Sequence, residues 1–304
     1  MPRAVAFFYK KLITTTMSLA ASELILNPDG SIYHLNMQPE QLADTVILVG
    51  DPERVSKISC YFDRIDTEIR KREFVIHTGE MGGKRITVMS TGMGTDNIDI
   101  VINELDALVN IDLKTRSLKK ELRSLKLLRI GTSGSLREDI PVGSLLMSRY
   151  SIGLEGLLGF YERPMSEKEN LLAQKAQALL AGLDFGIRPE AVSCGTALLE
   201  QFRPAGFLEG ITLTATGFYA PQNRELRAKN RMPELLSKFR ALEFDGYKAT
   251  NLEMETAGIY GLARALGHQA LSLNAILANR EAGIFHDQPK KLVKELIEKS
   301  LELI

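Results

Sequence analysis

Short apolar runs alternate along the chain with stretches of helical period, and the two periods divide it into elements. Thr45-Val-Ile-Leu-Val49 is a β-branched run without an inward–outward alternation, the pattern of a strand buried on both faces. It runs into Gly50-Asp-Pro-Glu-Arg54, where Pro52 suits the first turn of a helix because its missing N–H would be unpaired there anyway. Glu73–Gly79 and Lys84–Ser90 read as strands joined through Met81-Gly-Gly, a hairpin signal. Past Ser90-Thr-Gly-Met-Gly-Thr-Asp96, the positions Ile98, Val101, Ile102, Leu105 and Leu108 fall at helical spacing. In Leu127-Leu-Arg-Ile-Gly-Thr-Ser-Gly-Ser135 an apolar run ends, and a buried strand is expected to deliver Arg129 to its C-terminal lip before a tight Gly/Thr/Ser turn.

The second half continues the alternation. Val142–Met147 reads as a strand, and Ser166-Glu-Lys-Glu169 is a capping box opening a helix through about Leu180. Ile211–Gly217 is a strand, and a helix is expected to begin at Glu253-Met-Glu-Thr256 with Met254, Ala257, Gly261 and Ala265 on one stripe. Leu271–Ala278 is a last strand, and Pro289–Ile304 an amphipathic terminal helix. Strands alternating with helices predict an α/β fold. No repeat, low-complexity run or linker interrupts the chain, so one domain is expected over 18–304. Within the first residues, Arg3, Lys10 and Lys11 bracket a short apolar core, too short for a signal peptide. Residues 1–17 are read as an extension outside the fold, either a transit segment or a start placed ahead of Met17.

Composition narrows the function classes. The chain is 44% hydrophobic, enough for a sizeable core, and Lys+Arg equals Asp+Glu at 38 each, so nothing global points to nucleic acid or an acidic membrane. Cys60 and Cys194 make neither a metal spacing nor a disulfide framework, which fits a cytoplasmic location. No apolar run is long enough to span a bilayer. The charged stretch Asp112–Lys126 lacks aromatics and is expected to be a solvated loop or short helix.

Three strand ends, near residues 50, 91 and 131, each finish in a glycine turn carrying hydroxyls or an arginine. One such turn is an ordinary structural feature; three suggest a single lip lined for an oxyanion, beyond the carboxyl ends of the strands. Gly131 and Gly134 would leave the backbone bare beside the hydroxyls of Thr132 and Ser133. Farther on, Phe218 offers an aromatic face, and Gln222 and Arg224 an amide and a fork of donors for a planar ring, or else a Pro-containing turn over the core. Glu253 and Glu255 sit well against a helix dipole, which alone would explain them, and Glu255 could also accept hydrogen bonds from two sugar hydroxyls.

In this order, Gly50-Asp-Pro-Glu-Arg54, Arg72-Glu-Phe74, Ser90-Thr-Gly-Met-Gly94, Arg129-Ile-Gly-Thr-Ser-Gly134, Phe218-Tyr, Gln222 with Arg224, and Glu253-Met-Glu255 resemble the nucleoside phosphorylase family, within it the uridine phosphorylase branch. The resemblance implies a single-domain α/β/α fold with a central mixed sheet and the site at the strand ends. It implies that Gly50, Arg54, Arg129 and Thr132 hold inorganic phosphate, the co-substrate, and that Met254 and Glu255 hold the ribose. Phe218, Gln222 and Arg224 would take the base, with Gln222, Arg224 and Arg129 carrying the chemistry. A neighbouring subunit would supply Arg72 to the phosphate and His34 to the ribose 5′-hydroxyl, so a homodimer, assembled into a hexamer, is expected. No organic cofactor is implied, and Glu73 resembles a ligand of a structural potassium ion. Asn279-Arg280 stands where purine-cleaving relatives carry Ser-Asp, which favours uridine; purine nucleosides, hydrolysis of nucleosides, and a binding protein without catalysis are the alternatives. The sequence departs from the family pattern at 112–126, which reads as an insertion, at Asn97, at Ala220-Pro221 and over Glu281–Asp287.

Overall fold

The computed structural model describes residues 18–304; the expected extension over 1–17 lies outside the described residues. Strand β1 (Thr45–Val49) leads into α1 (Pro52–Ser59), whose N-cap is Asp51, its carboxylate accepting from the Glu53 N–H at 2.9 Å. Strands β2 (Arg64–Lys71), β3 (Phe74–Met81) and β4 (Lys84–Ser90) form a meander. Its second turn is built on Gly82 and Gly83, both at positive φ, as the two-residue hairpin signal requires. Helix α2 (Thr95–Asn110) buries the Ile98, Val101, Ile102, Leu105 and Leu108 stripe. The charged stretch that follows is neither helix nor plain loop: β5 (Ile111–Asp112) and β6 (Ser117–Leu118) pair as a small separate hairpin.

Next come β7 (Lys126–Ser135), β8 (Leu145–Gly153), α3 (Glu167–Leu179), β9 (Glu190–Ser193), α4 (Thr196–Phe202) and β10 (Leu208–Thr214). Helix α3 starts at the Ser166/Glu169 capping box, both reciprocal bonds being present. The chain closes with α5 (Leu235–Arg240), β11 (Glu243–Phe244), β12 (Tyr247–Glu253), α6 (Thr256–Leu266), β13 (Gln269–Asn279), β14 (Ile284–Phe285) and α7 (Pro289–Leu301).

Among the described residues, twelve of these strands form one mixed sheet in the order β11-β12-β10-β8-β13-β7-β1-β4-β3-β2, with β9 on β8 and β14 on β13. Strands β4, β1, β7 and β13 run parallel, so their carboxyl ends share one edge. Strand β12 also pairs antiparallel with the end of β7, Asn251 opposite Ser135, which curls the second half of the sheet back on itself. Helices α1, α2, α6 and α7 contribute to one apolar cluster with β1, β3, β4 and β7; α3 and α5 pack on β8, β10 and β12 in a second.

Two expectations about the site change here. Residues 131–135 do not turn after Arg129; β7 continues to Ser135 because β13 pairs along its whole length and β12 takes its end. Likewise Glu253 ends β12 and α6 begins only at Thr256, so Met254 lies outside the helix and its expected stripe.

Candidate active site

A cleft of about 710 Å³ opens at the shared carboxyl edge. Gly50, Gly92 and Gly131, from the three expected strand ends, all line it, together with Arg54, Arg129 and Thr132. Arg129 reaches this edge although it lies mid-strand. It is in register with Leu48, one residue before β1 ends, so β7 outruns its neighbour and the arginine borders the space left above it.

Arg129 is buried, and both terminal nitrogens of its guanidinium have partners. Nη2 lies 3.1 Å from Glu253 Oε2 and donates to Glu255 Oε2 at 2.5 Å, while Nη1 donates to Asn274 Oδ1 at 3.0 Å. Burial penalises its charge, and Glu253 and Glu255 more than offset this, leaving its pKa above the ordinary arginine value. Burial likewise pushes the Glu253 carboxyl up, with Arg129 opposing and Glu255 adding to the rise. Glu253 also caps α6, accepting from the backbone N–H groups of Glu255 and Thr256, and its Oε1 takes the Thr214 hydroxyl at 2.7 Å. Gly131 has a packing reason to be glycine: a Cβ there would lie 1.9 Å from the Arg129 guanidinium. Glu255 is less free than expected, because the Gly94 N–H at 2.8 Å shares its carboxylate with Arg129.

Arg54 is half-buried and donates from Nη1 to the Ile130 carbonyl at 3.1 Å. Burial lowers its pKa, Asp51 opposes, and the charge of Arg129 adds to the lowering; the two arginines therefore face one space. Thr132 stands half-buried at the wall, whereas the Ser133 hydroxyl is taken by the Asn251 amide at 2.9 Å.

Phe218, Gln222, Arg224 and Met254 also line the cleft. Gln222 is buried, and Arg224 Nη1 donates to its Oε1 at 2.7 Å and to the Phe218 carbonyl at 2.8 Å. The Arg224 guanidinium also covers one face of the Phe218 ring, 3.7 Å from its centroid. Burial, then the neighbouring charge of Arg280, lowers the Arg224 pKa to about 10. Arg280 in turn donates to the Asn223 carbonyl, tying the end of β13 to this loop.

Arg72 and His34 do not line the cleft. Arg72 is exposed in the β2–β3 turn, at φ 54°. Glu73, its neighbour, does reach the cleft beside Gly92 and Asn97. Among the described residues no group of three acidic, histidine or cysteine side chains gathers there or elsewhere to hold a metal. Sequence reasoning missed Asn274, which supports the cleft through Arg129; Phe285, within the departing tract Glu281–Asp287, lines it. Asn274 had a signal: with Ser272 it interrupts an otherwise apolar strand, and both are fully buried.

A family profile described as the phosphorylase superfamily matches residues 44–303. The chain belongs to this superfamily. As a nucleoside phosphorylase it is a pentosyltransferase, of a family that uses phosphate as co-substrate. It is 29% identical to a uridine phosphorylase of Thermococcus kodakarensis, over 84% of this chain and 80% of that one. It is 28% identical to a DeoD-type purine nucleoside phosphorylase of Colwellia psychrerythraea, over 89% and 98%. A solved Trypanosoma brucei nucleoside phosphorylase, described as showing uridine phosphorylase activity, superposes with a TM-score of 0.83 at 29% identity, covering 92% of this chain and 98% of that one. Among the described residues of this phosphorylase, no helix is long and apolar enough to cross a membrane.

Proposed function

We propose that the chain is a uridine phosphorylase of the cytoplasm, catalysing reversible phosphorolysis of uridine to uracil and ribose 1-phosphate. The observation carrying this reading is the bonded Gln222–Arg224 pair lining the cleft. Arg224 fixes the Gln222 carbonyl and so aims the amide –NH2, a donor, at the space where a base carbonyl would sit. Support comes from Asn279, whose amide is spent on the Arg137 and Ile140 carbonyls, and from Arg280 beside it; neither presents the acid that a purine N7 asks for.

The chemistry follows from where charge develops. An oxygen of orthophosphate attacks the anomeric carbon, the glycosidic bond breaks, and its electron pair leaves on the uracil ring nitrogen, delocalised toward both base carbonyls. Arg54 and Thr132 hold the phosphate, with Arg129 beneath. One arginine–phosphate contact at 4 Å supplies about 4 kcal/mol at an effective dielectric near 20, before desolvation. Glu255 and Met254 seat the ribose so that phosphate lies under the reacting carbon, a gain of proximity. Gln222 and Arg224 stabilise the departing anion. A second copy of the chain completes the site with Arg72 and His34, since neither reaches the cleft of its own chain.

The test is uracil release from uridine with and without phosphate, beside the same assay on inosine. Phosphate-dependent turnover of uridine well above inosine supports the reading; preference for inosine, or turnover with water alone, overturns it.

A further inference from the structure

We infer that Glu104 is a positioning residue that sets the tautomer and aim of His34. The inference rests on the reading that His34 meets the ribose 5′-hydroxyl of a second copy's substrate. Glu104 projects from α2, the helix whose first turn borders the cleft, and its carboxylate gathers three N–H groups around the histidine. Its Oε1 lies 2.6 Å from His34 Nδ1. The backbone N–H of His34 reaches both oxygens at 3.1 Å, and the Leu35 N–H reaches Oε2 at 2.9 Å. A carboxylate only accepts, so Nδ1 carries a proton whether the ring is neutral or cationic. In the neutral ring the lone pair is therefore on Nε2, the atom turned away from Glu104 and free to accept from a hydroxyl. A glutamate serving the turn alone would need only the backbone contacts; here the shortest of the set is to the ring.

The segment bearing the ring is held just as firmly. Asn27 donates to the Ser31 hydroxyl and the Ile32 carbonyl, both at 2.9 Å. Lys71 Nζ donates to the Tyr33 carbonyl at 2.5 Å and to Asn27 Oδ1 at 3.1 Å. The Tyr33 ring meets the His34 ring edge-on, centroids 4.8 Å apart. Lys71 adjoins Arg72 in the chain, so the two residues expected to serve a second copy are tied into one patch outside their own cleft. Side-chain exposure of 25% for His34 and 14% for Glu104 leaves the ring reachable while its anchor is largely covered. This is the arrangement in which an outer carboxylate orients a functional imidazole.

The experiment compares uridine with 5′-deoxyuridine, which lacks the hydroxyl, using the full chain and its Glu104→Gln, Glu104→Ala, His34→Ala and double variants. Glu104→Gln should lower kcat/KM for uridine by about tenfold and for 5′-deoxyuridine by less than about twofold, and Glu104→Ala should add nothing to His34→Ala. Equal losses on both substrates, or losses that multiply in the double variant, would overturn the assignment. An imidazole nitrogen NMR spectrum gives a readout without activity, since the chain has four histidines and His34→Ala assigns one of them. Wild type should show the Nδ1–H tautomer at His34, and an Nε2–H tautomer would also overturn it. If wild type cleaves inosine but neither pyrimidine nucleoside, the uridine reading fails by itself, and the same comparison is made with inosine and 5′-deoxyinosine.

Discussion

Arg129 Nη2 donates to Glu255 Oε2 at 2.5 Å on the floor of the cleft, with Glu253 on the same nitrogen at 3.1 Å. The pair is a structural anchor as well as part of the proposed site, because both carboxylates are buried. Arg129→Ala should therefore abolish phosphorolysis and also destabilise the fold by about 3–5 kcal/mol, the cost of leaving buried charge unpaired. Thermal melts beside the phosphate-dependent assay check this. Adding Glu253→Gln to Arg129→Ala should recover part of the stability and none of the activity. An Arg129→Ala protein that melts like its parent would show that the carboxylates do not depend on it.

The anchor also marks the limit of what the chain reveals before folding. Elements fixed by neighbours in sequence were legible: the β1 run with Pro52 after it, the glycine hairpin at 82–83, and the Ser166/Glu169 box are all local devices. Arg54, Arg129, Thr132, Phe218, Gln222 and Arg224, which line the cleft, were legible too, apart from their partners. Arg129 meets Glu255 across 126 positions and Asn274 across 145, and no spacing rule links positions so far apart. Gly131–Ser135 read as a turn because Gly, Thr and Ser favour turns in isolation, and pairing with β12 and β13 overrode that preference. The two-residue strands β5, β6, β11 and β14 are too short for any periodicity to register.

Gly131 tests the anchor without touching a charge. A Cβ at Gly131 would fall 1.9 Å from Arg129 Nη1, whereas one at Gly134, in the same strand, would meet Arg280 side-chain carbons at an ordinary 3.5 Å. Gly131→Ala should cost about 1–3 kcal/mol, as overpacking does, and lose most activity by displacing the guanidinium. Gly134→Ala should stay within about 0.5 kcal/mol of the parent. Chemical denaturation of both variants decides it; equal behaviour would mean the guanidinium has room to move.

Gln222 tests base recognition. Its carbonyl is held by Arg224, so Gln222→Ala removes one donor to the departing base and also the acceptor that orients the other. The uridine kcat should fall by about 10²-fold, the usual cost of one donor aimed at developing charge. Inosine turnover should change much less, because the purine edge presents different groups. A uridine rate untouched by the substitution would remove the Gln222–Arg224 pair from the mechanism.

Glu155 predicts a pH dependence of stability. It lies two residues past the end of β8, its Oε1 is buried, and among the described residues nothing bonds to that oxygen. Burial raises its pKa from the ordinary 4.5 to about 7, the N–H groups of its own residue and Gly156 oppose the rise, and Glu253 and Glu190 add to it. Between those two values the folded chain keeps a proton that the unfolded chain has released, so stability falls as pH rises. The stabilising contribution is complete below about pH 4.5 and is lost through about pH 7, a change of about 3 kcal/mol at most. Glu155→Gln keeps the shape and cannot ionise. Urea unfolding at about pH 5 and about pH 8 should show the variant gaining on the parent at the higher pH by up to that amount. A parent–variant difference identical at both would mean that Glu155 ionises in the folded chain as freely as in the unfolded one.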